Sequence, residues 1–208
     1  MKRNVESLYP NSVYHIYNRG INSEDIFKEY RNYRYFLEKY ATYIEPIAKT
    51  FAYCLLKNHF HVAIQTKTEA EILAFYTSKH PNKIVQPSVN QIISQQFSNL
   101  FNGYAQAINK AHNRTGGLFE EPFRRILVEN DAYLSELIVY IHRNPEKHGF
   151  VVDFRDYEHS SYLSFLLEKK TKLARKEVLD LFGNELAFKN AHESSAELPN
   201  IEKFDIES

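Results

Sequence analysis

The sequence is poor in residues that several classes of protein require. Its 208 residues include one cysteine, Cys54, and no tryptophan. A single cysteine excludes an internal disulfide and paired cysteines for zinc, and it is typical of a reducing compartment, so we expect a cytoplasmic protein. No run approaches the roughly eighteen apolar residues of a membrane span, and the first residues lack the apolar segment of a secretory signal. We therefore expect no membrane partner.

The sequence also has no net charge of either sign, since 26 Lys and Arg balance 26 Asp and Glu. The two signs are unevenly spread: residues 1–150 hold 18 basic and 14 acidic side chains, and residues 151–208 hold 8 and 12. A modestly basic body with an acidic tail is compatible with nucleic-acid binding without requiring it. There is no glycine-rich phosphate loop and no Gly-x-Ser-x-Gly elbow, which argues against P-loop nucleotidases and serine hydrolases.

The chain does have ample material for a packed core, because 43% of it is hydrophobic, with 15 Tyr and 15 Phe. Hydrophobic periodicity predicts the order β-α-β-β-α-β-α. The predicted strands are 12–18, 49–56, 59–65 and 123–129, and the predicted helices are 24–44, 89–111 and 131–144. This order is typical of an α+β protein with a ferredoxin-like, four-stranded antiparallel sheet and helices on one face.

Composition divides the chain into three parts. Residues 1–155 are predicted to form the sheet domain, and residues 156–183 a C-terminal helical extension. Residues 184–208 are rich in Glu, Ser and Asn, which predicts a mobile acidic tail. Within the first part, residues 66–88 are polar and contain two prolines, so we expect a loop or an insertion there.

Two histidines lie two residues apart on the third predicted strand. Side chains alternate between the faces of a strand, so His59 and His61 project to one side and Phe60 to the other. Two imidazoles held in this way can share one metal ion. The same pair is also compatible with two histidines on an exposed face that bind nothing.

The predicted helix 131–144 carries a second pair. Tyr140 and Asn144 are four residues apart, so they lie on one side of the helix, at the edge of its apolar stripe. An Asn amide oxygen is a reasonable ligand for Mg²⁺ or Mn²⁺, and a phenol beside a metal is a possible nucleophile. Packing explains most tyrosines equally well, and Asn144 before Pro145 also suits the end of a helix.

Four basic residues lie close to these pairs in the sequence. Lys57 precedes the His-x-His strand, Arg124 and Arg125 belong to the fourth predicted strand, and Arg143 follows Tyr140 on the helix. Each is a candidate for contacts with a phosphate backbone, and each is equally compatible with a solvated surface charge.

These segments together resemble the HUH endonuclease superfamily, and within it the single-tyrosine insertion-sequence transposases and their REP-associated relatives. The resemblance runs from about residue 14 to residue 151 and follows the order of the family's segments. It rests on Tyr-His-Ile-Tyr-Asn-Arg-Gly at 14–20, Lys-Asn-His-Phe-His-Val at 57–62, Gly-Leu-Phe at 117–119 and Tyr-Ile-His-Arg-Asn-Pro at 140–145. Lys57 replaces the proline of many relatives, and some relatives have Gln in place of Asn144.

The resemblance implies a DNA nickase and strand transferase that acts in transposition and recombination. Tyr140 would attack a phosphate of single-stranded or hairpin DNA and form a 5′-phosphotyrosine link. His59, His61 and Asn144 would hold Mg²⁺ or Mn²⁺. Family members act alone or as homodimers, and the sequence does not choose between the two.

Three alternatives remain open from the sequence. A non-catalytic nucleic-acid-binding module of RRM-like topology would have the same order of elements. A metal-dependent hydrolase would activate water and form no covalent link. A domesticated copy of a transposase would act on repeat hairpins with its site intact.

Overall fold

The computed structural model describes residues 6–194 and contains a four-stranded sheet with the strand order β2-β3-β1-β4. Every neighbouring pair of strands is antiparallel. The strands are β1 (Val13–Arg19), β2 (Ala48–Leu55), β3 (His59–Thr66) and β4 (Arg124–Val128). This sheet confirms the predicted α+β class and its ferredoxin-like topology.

Seven α-helices accompany this sheet in the described part of the chain. They are α1 (Tyr30–Tyr43), α2 (Glu69–Lys79), α3 (Val89–Ala111), α4 (Asp131–Lys147), α5 (Tyr162–Leu166), α6 (Arg175–Phe182) and α7 (Glu185–Glu193). Short 3₁₀ turns occur at Ile21–Ser23 and Phe154–Asp156. Between residues 6 and 194, no helix combines the length and the apolar character that crossing a bilayer requires.

The two faces of the sheet support separate cores. Tyr14 and Ile16 of β1 face a core completed by α1, α2 and α3. The alternate residues of the strands face a second core, which contains the apolar stripe of α4 and residues of α5, α6 and α7. The predicted arrangement on one face therefore holds for α1 and α3, and α2 packs on that face with them. Helix α4 lies on the opposite face because Leu137, Ile138 and Ile141 find apolar cover there.

Residues 66–88 contain a helix, α2, where the sequence predicts a loop or an insertion. Thr68 begins the helix by accepting a hydrogen bond from the backbone N–H of Glu71, whose side chain bonds back to Thr68. Ile72 and Tyr76 are four residues apart and are buried. Two apolar residues and a capping box are sufficient once α3 provides a surface to pack on, so the loop prediction is wrong for 69–79.

Two further boundaries differ from the prediction. Helix α4 continues through Pro145 to Lys147, because the turn still closes with the backbone N–H of His148 donating to the carbonyl of Asn144. Residues 185–193, predicted as part of a mobile tail, form α7, which buries Phe188 and His192 in the second core. Residues 195–208 of the predicted tail lie outside the described part of the chain.

Candidate functional site

The histidine pair on β3 lies on the face of the sheet that α4 covers. Phe60, between them, is buried in the first core, so the alternation of the strand turns His59 and His61 to the other side. Their ring centroids are 5.3 Å apart, with the ring planes nearly perpendicular. Both side chains are buried. The predicted common orientation of the two imidazoles is therefore present.

His61 is held by a third histidine, which lies on the neighbouring strand. Nε2 of His15 and Nδ1 of His61 are 2.9 Å apart and form a hydrogen bond in a fully buried position. The ring of Tyr17 also stacks on His61, with 5.6 Å between the centroids. With Nδ1 engaged by His15, Nε2 is the nitrogen of His61 that a metal would take.

His59 is oriented by the residue before it. Nδ1 of His59 lies 2.6 Å from Oδ1 of Asn58 in the β2–β3 turn. An amide oxygen only accepts hydrogen bonds, so Nδ1 of His59 is the donor and the lone pair of the ring is on Nε2. His59 thus has the nitrogen arrangement that is usual for a metal-ligating imidazole with a second partner, and His61 resembles it in having Nδ1 engaged.

Helix α4 brings Tyr140, Asn144 and His148 to this pair at four-residue steps. The ring of Tyr140 meets His61 edge to face, with 5.7 Å between the centroids. The ring of His148 meets His59 in the same way at 5.0 Å. Since Asn144 is one turn from each, it lies between these two contacts and faces the histidine pair.

Asn144 is fully buried, and neither its Oδ1 nor its Nδ2 has a hydrogen-bond partner among residues 6–194. A buried polar group without a partner costs about 1–3 kcal/mol, so an amide that is retained in this state calls for an unseen ligand. Two imidazole nitrogens and one amide oxygen suit Mn²⁺ well and Mg²⁺ acceptably. No three His, Cys, Asp or Glu side chains in the described region form a ready metal cluster. A metal bound here would therefore depend on Asn144.

The four basic residues predicted to contact a phosphate backbone lie in different places relative to the histidine pair. Arg124 pairs across the sheet with Tyr17, so it lies on the face of the histidine pair. Arg125 points to the opposite face. Lys57 forms an ion pair with Asp25 at 2.9 Å, and Arg143 bonds to Glu146 and to the carbonyl of Ser194, both at 3.0 Å.

Comparison with known proteins finds similar ones, while no family model matches the chain. A Haemophilus influenzae (strain Rd) protein named as a REP-associated tyrosine transposase is 25% identical over 114 residues, 55% of this chain and 58% of that protein. The match thus spans less than two thirds of this relative. The structure of a REP-associated tyrosine transposase bound to a REP hairpin matches with a TM-score of 0.58 and 13% identity, over 80% of this chain and 86% of that chain. It shows the same fold.

The chain is thus similar to REP-associated tyrosine transposases, in fold over most of its length and in sequence over about half of it. The candidate site draws on three elements: β1, β3 and α4. Two of its residues were not predicted as site residues from the sequence. His15 shares the strand face of Tyr17, and the pairing of β1 with β3 brings it to His61. His148 follows Asn144 by four residues, a spacing that indicates a common helix face.

The burial of Tyr140 differs from the prediction, which places this side chain at the edge of the apolar stripe of its helix. Only 2% of Tyr140 is exposed. Nζ of Lys147, which is on the surface of the same helix, lies 5.4 Å from the centre of the Tyr140 ring. Tyr140 is therefore packed inside the helix layer, with the cation of Lys147 over its ring.

Proposed function

We propose that this protein is a REP-associated tyrosine transposase and that it cleaves and rejoins single-stranded DNA through a covalent 5′-phosphotyrosine link on Tyr140. The observation that supports this most directly is the contact between Tyr140 and His61, which brings a phenol to a histidine pair on a rigid strand. His59, His61 and Asn144 would hold a divalent cation, Mg²⁺ or Mn²⁺, beside it. The partnerless amide of Asn144 supports that assignment.

The proposed reaction conserves the number of phosphate ester bonds. The phenol oxygen of Tyr140 bonds to the phosphorus, the bond between phosphorus and the 3′-oxygen breaks, and the 3′-oxygen takes up a proton while the phenol loses one. Because the energy of the ester bond is kept in the link to Tyr140, a 3′-hydroxyl can reverse the step and rejoin DNA without ATP. The bound cation would polarise the phosphate and neutralise developing charge.

The protein's own residues would then serve three purposes. His15 and Asn58 orient the imidazoles of His61 and His59. Lys147, beside the ring of Tyr140, is in position to meet the negative charge of an incoming phosphate. Arg124, on the same face of the sheet, is in position to contact the backbone of the DNA.

The proposed substrate is single-stranded or hairpin DNA. A related structure is described as bound to a REP hairpin, and we extend this to the present chain as part of the proposal. A module of the RRM kind stacks bases on an open sheet face. Here helices pack on both faces of the described sheet, which favours the enzyme over that alternative.

The test is the formation of a covalent adduct. Purified protein would be incubated with labelled hairpin DNA from the flanks of its gene, with Mn²⁺ or Mg²⁺, and analysed on a denaturing gel. We expect an adduct that is lost with EDTA, with Tyr140→Phe and with His59→Ala. Tyr133→Phe, seven residues earlier on the same helix, is the matched control and should retain the adduct. Cleavage without an adduct that persists in Tyr140→Phe would contradict the proposal and favour a hydrolase.

A further inference from the structure

A large cavity lies on the opposite face of the sheet from Tyr140. It is an open cleft between α3 and the segment 116–125, which leads into the edge strand β4, and its volume is about 710 Å³. That volume is within the range of small-molecule sites, about 300–1,000 Å³. The candidate site on α4 does not use this cavity, so its lining calls for a separate explanation.

The wall formed by α3 is unusual in having almost no charge. Lys110 is the single charged residue of this 23-residue helix, which has eight Asn and Gln residues. Exposed helix faces ordinarily carry Lys, Glu and Arg. On the cavity side, Ser94, Ser98, Asn102 and Gln106 follow one another at four-residue steps. Side-chain amides are the groups that pair with the edges of nucleobases, and they do so without the desolvation cost of a full charge.

The opposite wall supplies a guanidinium. Arg125 is half-buried, and its carbon Cζ lies 3.8 Å from the centre of the Phe123 ring. Its Nε is buried without a hydrogen-bond partner, and the side chain forms no ion pair with a carboxylate in the described part of the chain. Burial lowers the pKa of Arg125, and the nearby carboxylate of Glu6 offsets this only in part.

The position of β4 connects this cavity to the other face. It is an edge strand, and its neighbouring residues Arg124 and Arg125 point to opposite faces, as their partners Tyr17 and Ile16 do. A polyanionic strand that passes around this edge would meet a guanidinium on each side. Double-stranded DNA is too wide to fold around one strand edge, so the geometry favours unpaired nucleotides.

We propose that this cavity binds an unpaired nucleotide of the DNA strand, with the phosphate on Arg125 and the base edge on Asn102 and Gln106. The carboxylates of Glu120 and Glu121 also line the cavity. They can accept hydrogen bonds from the amino groups of a base, and they oppose a second phosphate. The proposal rests on the proposed function only in taking DNA as the ligand.

The experiment measures binding in EDTA, so that no cleavage occurs. The probes are fluorescent single strands of about twelve nucleotides, namely oligo-dA, oligo-dC, oligo-dT and an abasic strand of equal length. We expect Asn102→Ala/Gln106→Ala to weaken binding of at least one base-bearing strand about tenfold and to leave the abasic strand unchanged. Arg125→Gln should weaken all four, and Arg125→Lys should restore much of that loss.

The matched control is Gln95→Ala/Asn99→Ala, which removes two amides of the same helix that do not line the cavity. It should bind every strand like the unmodified protein. Equal binding of all strands by the Asn102/Gln106 variant, or an equal loss for the abasic strand, would overturn the proposal. Binding of none of the strands by the unmodified protein would overturn it too. The adduct assay tests the proposed function separately, because the formation of a link to Tyr140 does not require the amides of Asn102 and Gln106.

Discussion

The two faces of the sheet are built from the same strands and both carry an apolar core, but they differ in the polar side chains that they bury. On β3, Phe60 and Val62 face a core of aliphatic and aromatic side chains, while His59 and His61 face α4. The first face contains few polar atoms and fixes the strands by packing. The second contains a histidine pair, a third histidine and an amide without a partner. Both faces thus stabilise the fold by apolar packing, and the second also keeps this group of polar side chains buried.

This difference teaches how a buried polar site is sustained. Holding Asn144 without a partner and several imidazoles out of water opposes folding. The rings that surround Phe36, Phe60 and Tyr104 provide the compensating apolar burial directly behind the site. Because adjacent residues of a strand face opposite sides of the sheet, the apolar core and the polar site can lie one residue apart.

The largest expected effect separates the faces by stability. Phe60→Ala removes a fully buried ring from the first core, and we expect it to lower the free energy of unfolding by about 3–5 kcal/mol. His59→Ala, at the adjacent position on the other face, should cost about 1 kcal/mol, chiefly the hydrogen bond to Asn58. Urea denaturation of both variants measures the contrast. Equal losses would show that the histidine face is as structural as the apolar one.

The next effect concerns acid. His192 donates from Nδ1 to the carbonyl of Phe188, so its Nε2 accepts from Nδ1 of His142, whose Nε2 accepts from Ser161. This order requires both histidines to be neutral. Burial lowers the pKa of His192 to about 4 and lowers that of His142 well below its ordinary value, aided in His142 by the charge of His192. The network joins α4 to α7.

The folded pKa of His192 is below its unfolded value near 6.5, so the unfolded chain takes up the proton first. Stability is therefore full above pH 6.5 and falls as the pH decreases towards 4. We expect a loss of about 2 kcal/mol from His192 between pH 7.5 and pH 5, measured by denaturation in urea. His80→Ala removes an exposed histidine and should leave this dependence intact. A flat profile over this range would show that the two histidines are not held neutral.

A third effect tests the histidine that was missed from the sequence. His15→Leu removes the partner of Nδ1 of His61, and loss of a group that holds a metal-ligating imidazole weakens metal affinity by about 10–100-fold. We expect Mn²⁺ binding, followed by electron paramagnetic resonance, to weaken by that factor, while the near-ultraviolet circular dichroism of the fold persists. Tyr17→Phe, which keeps a ring stacked on His61, is the control. Unchanged Mn²⁺ affinity in His15→Leu would show that His15 does not position the imidazole of His61 for metal binding.

The sequence predicts what depends on local pattern. Alternation and turn residues located all four strands to within one or two residues, and the parity of His59 and His61 followed from the strand alone. The contact between His15 and His61 could not be found in this way, because it depends on which strands become neighbours and in which register. Helices α2 and α7 were not predicted, because each buries only two side chains and the hydrophobic periodicity of its sequence is therefore weak.

The smallest expected change concerns Asn144, and its smallness is the informative result. Asn144→Leu replaces a buried amide that has no hydrogen-bond partner with an apolar group of similar volume, so we expect stability within about 1 kcal/mol of the unmodified protein, or a slight gain. If the amide served the fold, the same substitution would cost about 2 kcal/mol or more, as the loss of buried hydrogen bonds does. Thermal and urea denaturation without added metal measure this difference.

The same denaturation experiments with Mn²⁺ test whether Asn144 is a ligand. A cation that binds only the folded state stabilises the unmodified protein, and it should stabilise Asn144→Leu less. Equal stabilisation of both would show that the amide is not a ligand and that the histidine face holds it for another reason.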